Sequence, residues 1–164
     1  MGTENMQVEQ WAEQIMHQIN QAAILYHRLI LVVAPSGSGK TKVLQEVAKR
    51  TGGRYINVSL DLSRQLLDFT ERQRTLQVSR VLSDIVGKDN EQAVLLDNTE
   101  VLFDVSLKQD PLRCLQGLSR QTTVVAAWNG TIEHGYLIYA APDHPEYRRY
   151  PAGDLLVVSP PVPA

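Results

Sequence analysis

Residues 34–41 read Ala-Pro-Ser-Gly-Ser-Gly-Lys-Thr, a glycine-broken turn that ends in an ammonium and a hydroxyl. That order of residue types suits a phosphate chain. Gly37 and Gly39 let the backbone turn successive N–H groups into one concavity. A helix beginning near Lys40 would add its positive end to the same place. Lys40 brings a mobile point charge for the β- and γ-phosphates, and the Thr41 hydroxyl a ligand for Mg²⁺. The nucleotide-binding set is therefore Pro35, Ser36, Gly37, Ser38, Gly39, Lys40 and Thr41. The pattern is that of a Walker A loop with Ala34 in place of its first glycine. The change is mild, because that position ends the preceding strand and does not wrap the phosphate.

A second set follows downstream. Ala93-Val94-Leu95-Leu96-Asp97 reads as a Walker B strand, with Asp97 as the second magnesium group. Many ATPases place glutamate directly after that aspartate to polarise the attacking water. Here the position is Asn98, which can orient water but cannot take its proton. Glu100 is the first candidate for that role and Asp61 the second. Asn129, after a later strand, reads either as a γ-phosphate or water contact or as a turn residue before Gly130. The expected catalytic set is Lys40, Asp97, Asn98, Glu100 and Asn129. Arg113, Arg120, Arg148 and Arg149 are the candidates for an arginine finger.

These residues need a scaffold, and the hydrophobic pattern supplies one. Residues 7–27 predict an amphipathic helix on the stripe Val8, Ala12, Ile15, Ile19, Ala22 and Tyr26. Residues 28–34 form a β-branched apolar run without alternation, which predicts a strand buried on both faces. A helix is expected over 40–50, a strand over 54–60, and helix over 61–88 with a break near Thr70. Strands are expected over 92–97 and 122–128, separated by a helix over 111–119 with Asp110 as its N-cap and Pro111 in its first turn. Two further strands are expected over 136–140 and 154–159, before a fraying PPVPA tail. Alternating strands and helices predict an α/β fold with a mostly parallel central sheet. Residues 1–27 read as a helix packed on the core. Residues 28–164 read as the P-loop core with a C-terminal hairpin and a short proline-rich tail.

Composition narrows the class. The 164 residues carry a net charge of −2, with 43% hydrophobic and 21% charged residues, which fits one soluble domain and gives no global basic field for nucleic acid. No apolar run is long enough for a membrane span. The opening MGTENMQVEQ has no signal-peptide pattern, and the single thiol, Cys114, suits a reducing cytoplasm. Tyr147-Arg148-Arg149-Tyr150 interleaves aromatic and basic groups, so it reads as a loop, a subunit contact or a nucleic-acid contact. Without a guanine-specifying Asn-Lys-x-Asp, the expected nucleotide is ATP.

Taken together, APSGSGKT, LLDNTEVLF, Trp128-Asn129-Gly130 and HPEYRRYP resemble the BrxF family, the small P-loop ATPases of type 3 BREX phage-defence systems, over roughly residues 20–160. The resemblance implies an additional-strand, AAA+-like, three-layer P-loop fold in a bacterial cytoplasm, working with other BREX components. It implies nucleotide contacts at Gly37, Gly39, Lys40 and Thr41, metal at Thr41 and Asp97, and a γ-phosphate sensor at Asn129. No helical lid domain is expected after the last strand. Two functions remain open: an oligomerising ATPase with sites shared between subunits, or an ATP-gated assembly switch that hydrolyses slowly or not at all. A small-molecule kinase is a weaker third, with 140–151 as its lid.

Overall fold

The computed structural model describes residues 2–88 and 90–161. Five strands form one wholly parallel sheet: β1 (Leu29–Ala34), β2 (Arg54–Asn57), β3 (Val94–Asp97), β4 (Val124–Asn129) and β8 (Leu156–Val158), in the spatial order β2-β3-β4-β1-β8. Three short strands, β5 (Thr131–Glu133), β6 (Tyr136–Tyr139) and β7 (Arg148–Pro151), form a separate antiparallel sheet. Among the described residues, no helix is long and apolar enough to cross a membrane.

Every residue of β1 and β3 is buried, as strands covered on both faces require. Their side chains alternate between two cores. Ile30, Val32, Leu95, Val125 and Ala127 pack with α1 (Gly2–Ala22) and α2 (Lys40–Thr51). Leu31, Val33, Leu96, Ala126 and Trp128 pack with α3 (Val58–Leu66), α4 (Glu71–Val86) and α5 (Pro111–Leu118). The result is three layers, with two helices on one face of the sheet and three on the other.

Several boundaries move from their expected places, each for a local reason. The helix expected over 7–27 is α1, which starts earlier and ends at Ala22. Its buried stripe is Trp11, Ala12, Ile15 and Ala22, while Tyr26 lies beyond it, two-thirds exposed, beneath the Arg120 guanidinium. The strand expected over 54–60 stops at Asn57, whose side chain accepts from Leu60 N and so starts α3 three residues earlier than periodicity alone predicts. Such a cap is worth about 1 kcal/mol. The break near Thr70 is a capping box: Thr70 Oγ1 accepts from Gln73 N, and Gln73 Oε1 accepts from Thr70 N. Asp110 caps α5 as expected, accepting from Arg113 N.

The C-terminal hairpin is instead the three-stranded sheet β5-β6-β7. It docks beneath the end of β4 through aromatics. Trp128 meets Phe103 edge-on at 5.1 Å and Tyr150 at 5.9 Å, and its indole N–H donates to Ile138 O. Tyr150 OH donates to Asp110, and Arg148 Nη2 donates to Gln109 O. Gly130 makes the junction. A Cβ there would lie 1.9 Å from Ile138 O, so no larger residue fits. Strand alternation splits Tyr147–Tyr150. Arg148 and Tyr150 hold the sheet to the body, while Arg149 lies over the Tyr136 ring. The segment therefore does not present one continuous basic and aromatic face. The proline tail departs as well. Pro160 and Pro161 are half-buried, and residues 162–164 lie outside the described residues.

Candidate functional site

The parallel sheet delivers the chemistry-bearing residues to one end. β1 ends at Ala34, β3 at Asp97 and β4 at Asn129, and the loops beyond these C-terminal ends meet around a cavity of about 280 Å³. Ligands in open α/β sheets gather at such ends.

One wall is contiguous in sequence. After β1 the backbone turns through Gly37 (φ 81°) and Gly39 (φ 92°), both in the left-handed region that glycine tolerates. Gly39 is also the N-cap of α2, so the helix's free N–H groups and its positive end point at the loop. Ser36, Gly37, Gly39, Lys40 and Thr41 line the cavity. Pro35 and Ser38, expected with them, do not. Pro35 offers its carbonyl to Lys40, and Ser38 lines a neighbouring cleft. Lys40 is 6% exposed, and its ammonium donates to Ala34 O (2.8 Å) and Pro35 O (2.7 Å). Burial lowers its pKa, against the opposing pull of Glu100 and Asp97.

The other wall is assembled from distant segments. Asp97, 3% exposed, accepts from three donors: Thr41 Oγ1 (2.5 Å) and Tyr55 OH (2.6 Å) at Oδ2, and Asn98 N (2.9 Å) at Oδ1. Hydrogen bonds to a carboxylate are the strong, short kind. Burial and this bond push the Tyr55 phenol up to about 12, so it stays a donor. Tyr55 is a site residue that motif reading misses. Its signal is the pairing of β2 with β3, which places it opposite Leu95, on the same face as Asp97.

Asn98 lines the cavity in the left-handed conformation (φ 53°). Its carbonyl accepts from Ser59 N (3.1 Å) and Ser59 Oγ (2.8 Å). Asparagine is among the few non-glycine residues that favour this conformation. The residue after the strand therefore has a backbone reason to be asparagine. Two short 3₁₀ turns follow, Thr99–Phe103 and Val105–Leu107. The first points Glu100 into the cavity, where Asn129 Nδ2 donates to Glu100 Oε1. Asp61 lies in the first turn of α3, outside the cavity lining. Arg113, Arg120, Arg148 and Arg149 do not line it either.

The donor set fits a small divalent cation. Thr41 gives its only proton to Asp97, so the lone pairs of its oxygen are free for a cation. Asp97 keeps one of its roughly four acceptor positions after three hydrogen bonds. One or two hard oxygen ligands beside a phosphate are what Mg²⁺ takes from a protein, with water completing its octahedron. The cavity thus joins an anion cradle, one buried cation, a hydroxyl–carboxylate pair and a second carboxylate. No family model, curated protein or solved structure matches this chain.

Proposed function

We propose that the chain binds ATP with Mg²⁺ and hydrolyses it at sites shared between subunits, as a P-loop protein of the additional-strand type. The observation that carries the reading is the Thr41–Asp97 hydrogen bond, which joins the glycine-turned loop to the β3 carboxylate across one cavity. The strand order supports it, because β4 lies between β1 and β3 and separates the loop strand from the carboxylate strand. In this reading the loop N–H groups and Lys40 hold the β- and γ-phosphates. Thr41 and Asp97 would hold Mg²⁺, whose positive charge would offset that of the phosphates. Glu100 accepts the proton of the attacking water, and Asn129 positions both the carboxylate and the γ-phosphate.

The cavity brings two carboxylates and one ammonium to a polyanion, and no arginine among its lining residues. That shortage of positive charge supports completion of the site by a second subunit. One observation favours a nucleotide-gated switch as the second reading. Asn129 engages the Glu100 carboxylate, which withholds one of its oxygens from water. The resemblance to the BrxF family supports a place for either form in a bacterial phage-defence assembly with other BREX components.

The test is ATP binding and turnover per subunit across a wide range of protein concentration, for the native chain and Lys40→Ala. The native chain should bind ATP with magnesium, and turnover should climb with concentration. Lys40→Ala should lose about 100-fold or more in affinity, with an unchanged circular dichroism spectrum. Unchanged affinity in that variant would refute the assignment. Tight binding with no turnover at any concentration would select the switch.

A further inference from the structure

β8 ends the parallel sheet, and its outer edge is open. β1 pairs with one side of it, and among the described residues no backbone hydrogen bond is made from the other side. A groove of about 450 Å³ runs between that edge and α1. Val157 and Val158 both line it, although Val157 packs against the core on one face of the sheet and Val158 against the core on the other. A groove that touches both sides of a strand reaches its edge. Open edges are ordinarily blunted by a charge, a proline or a bulge. Residues 156–159, Leu-Val-Val-Ser, carry no charge and no proline. The opposite edge of the sheet differs, because β2 begins with an exposed Arg54 whose guanidinium donates to Ile85 O. The flank of α1 above the groove is polar. Gln10, Gln14 and Gln18 stand one turn apart along it, and Glu13 and His17 stand between them. A glutamine amide both donates and accepts, and an imidazole N–H donates to a carboxylate. Such a flank complements itself, as a two-fold contact requires.

We infer that β8 and α1 form an interface with a second copy of this chain, across a two-fold axis normal to the sheet. The two β8 strands then run antiparallel, and two five-stranded sheets become one of ten. The axis keeps both α1 helices on one face, side by side and antiparallel. With the axis beside Gln14, that residue meets its own counterpart, Gln10 meets Gln18 of the second copy, and Glu13 lies within a turn of that copy's His17. Pro160 and Pro161 follow at once and bound the new ladder, since neither has an N–H to extend it. An isologous contact uses up this edge in each copy, so the assembly closes at two. None of the residues lining this groove lines the phosphate cavity, and the inference does not rest on the nucleotide reading.

The experiment is sedimentation equilibrium on the full chain without nucleotide, across the micromolar range. It should show a reversible monomer–dimer equilibrium. Gln14→Arg, at an exposed position of α1, sets two like charges at the axis and should weaken the dimer by about tenfold or more. Glu13→Lys should weaken it by about threefold, and Glu13→Lys combined with His17→Glu should restore it. Hydrogen exchange over the same range should show residues 156–159 becoming more protected as the dimer forms. A chain that stays monomeric throughout would overturn the inference. So would a dimer that keeps its affinity in Gln14→Arg, that the double variant does not recover, or that leaves exchange in β8 unchanged. Assembly that appears only when ATP and Mg²⁺ are added would also overturn it, and would move the subunit contact to the phosphate cavity.

Discussion

The two walls of the cavity are built by opposite means. The loop wall, residues 36–41, is held by its own backbone: two left-handed glycines and the start of a helix. The facing wall is held by side chains from elsewhere. Tyr55 of β2 holds Asp97, Ser59 of α3 holds Asn98, and Asn129 of β4 holds Glu100. A wall written in backbone conformation tolerates changes around it. A wall written in mutual hydrogen bonds does not, and its members should couple strongly when removed together.

The sharpest break of this contrast is Glu100→Gln. It keeps shape and loses the proton acceptor, so turnover should fall by about 10²-fold or more while ATP affinity holds. Single-turnover rates beside equilibrium binding would separate the two. Equal loss in both would make Glu100 a ligand and not a base. Asp97→Asn should weaken ATP binding by about tenfold to a hundredfold in magnesium and much less in chelator, the range seen when a metal's supporting groups are changed. Equal losses in both conditions would place Asp97 outside the metal site.

Asn98→Glu tests the backbone reason for asparagine. Glutamate in the left-handed region should lower stability by about 1 kcal/mol, read from a denaturant midpoint. Turnover should rise if water activation limits the rate. Stability unchanged by the substitution would show that the φ of this residue carries no cost. The smallest expected effect is a proton. Burial depresses the Lys40 pKa, and a bound phosphate would raise it again. Binding should therefore take up protons as pH rises through the depressed pKa of the free protein, and ATP affinity should decline over the same range. Calorimetry in buffers of different ionisation enthalpy reads that uptake. A buffer-independent enthalpy would mean that Lys40 is already fully charged in the free protein.

The same contrast explains what the sequence discloses. The loop wall is legible because strand, glycines and helix follow one another in eight residues. The α/β alternation and the buried strands β1, β3 and β4 are legible for the same reason, as uninterrupted apolar runs. Tyr55 and the Glu100–Asn129 pair depend on which strands become neighbours, and periodicity carries no such information. Asn57 reads as the middle of a strand until its side chain is seen capping α3. β5 and β7 are three and four residues long and hold Glu, Thr, Arg and Pro, so neither shows an alternation to detect. Trp11 drops out of the expected stripe because that stripe starts from Val8 and steps to Ala12.

The strand order also sets a timetable. β1, which carries the loop, lies between β4 and β8, and both partners come from the last third of the chain. On a ribosome, Leu29 waits for Val124 before its first ladder bond can form. Until then the loop that reads most clearly in the sequence has no sheet to hang from. Its glycines, lysine and threonine are made early, and they become a site among the last things the chain completes. Nucleotide in the cell would meet a finished cradle or none, and a nascent chain released short of β4 should display the whole motif yet bind nothing.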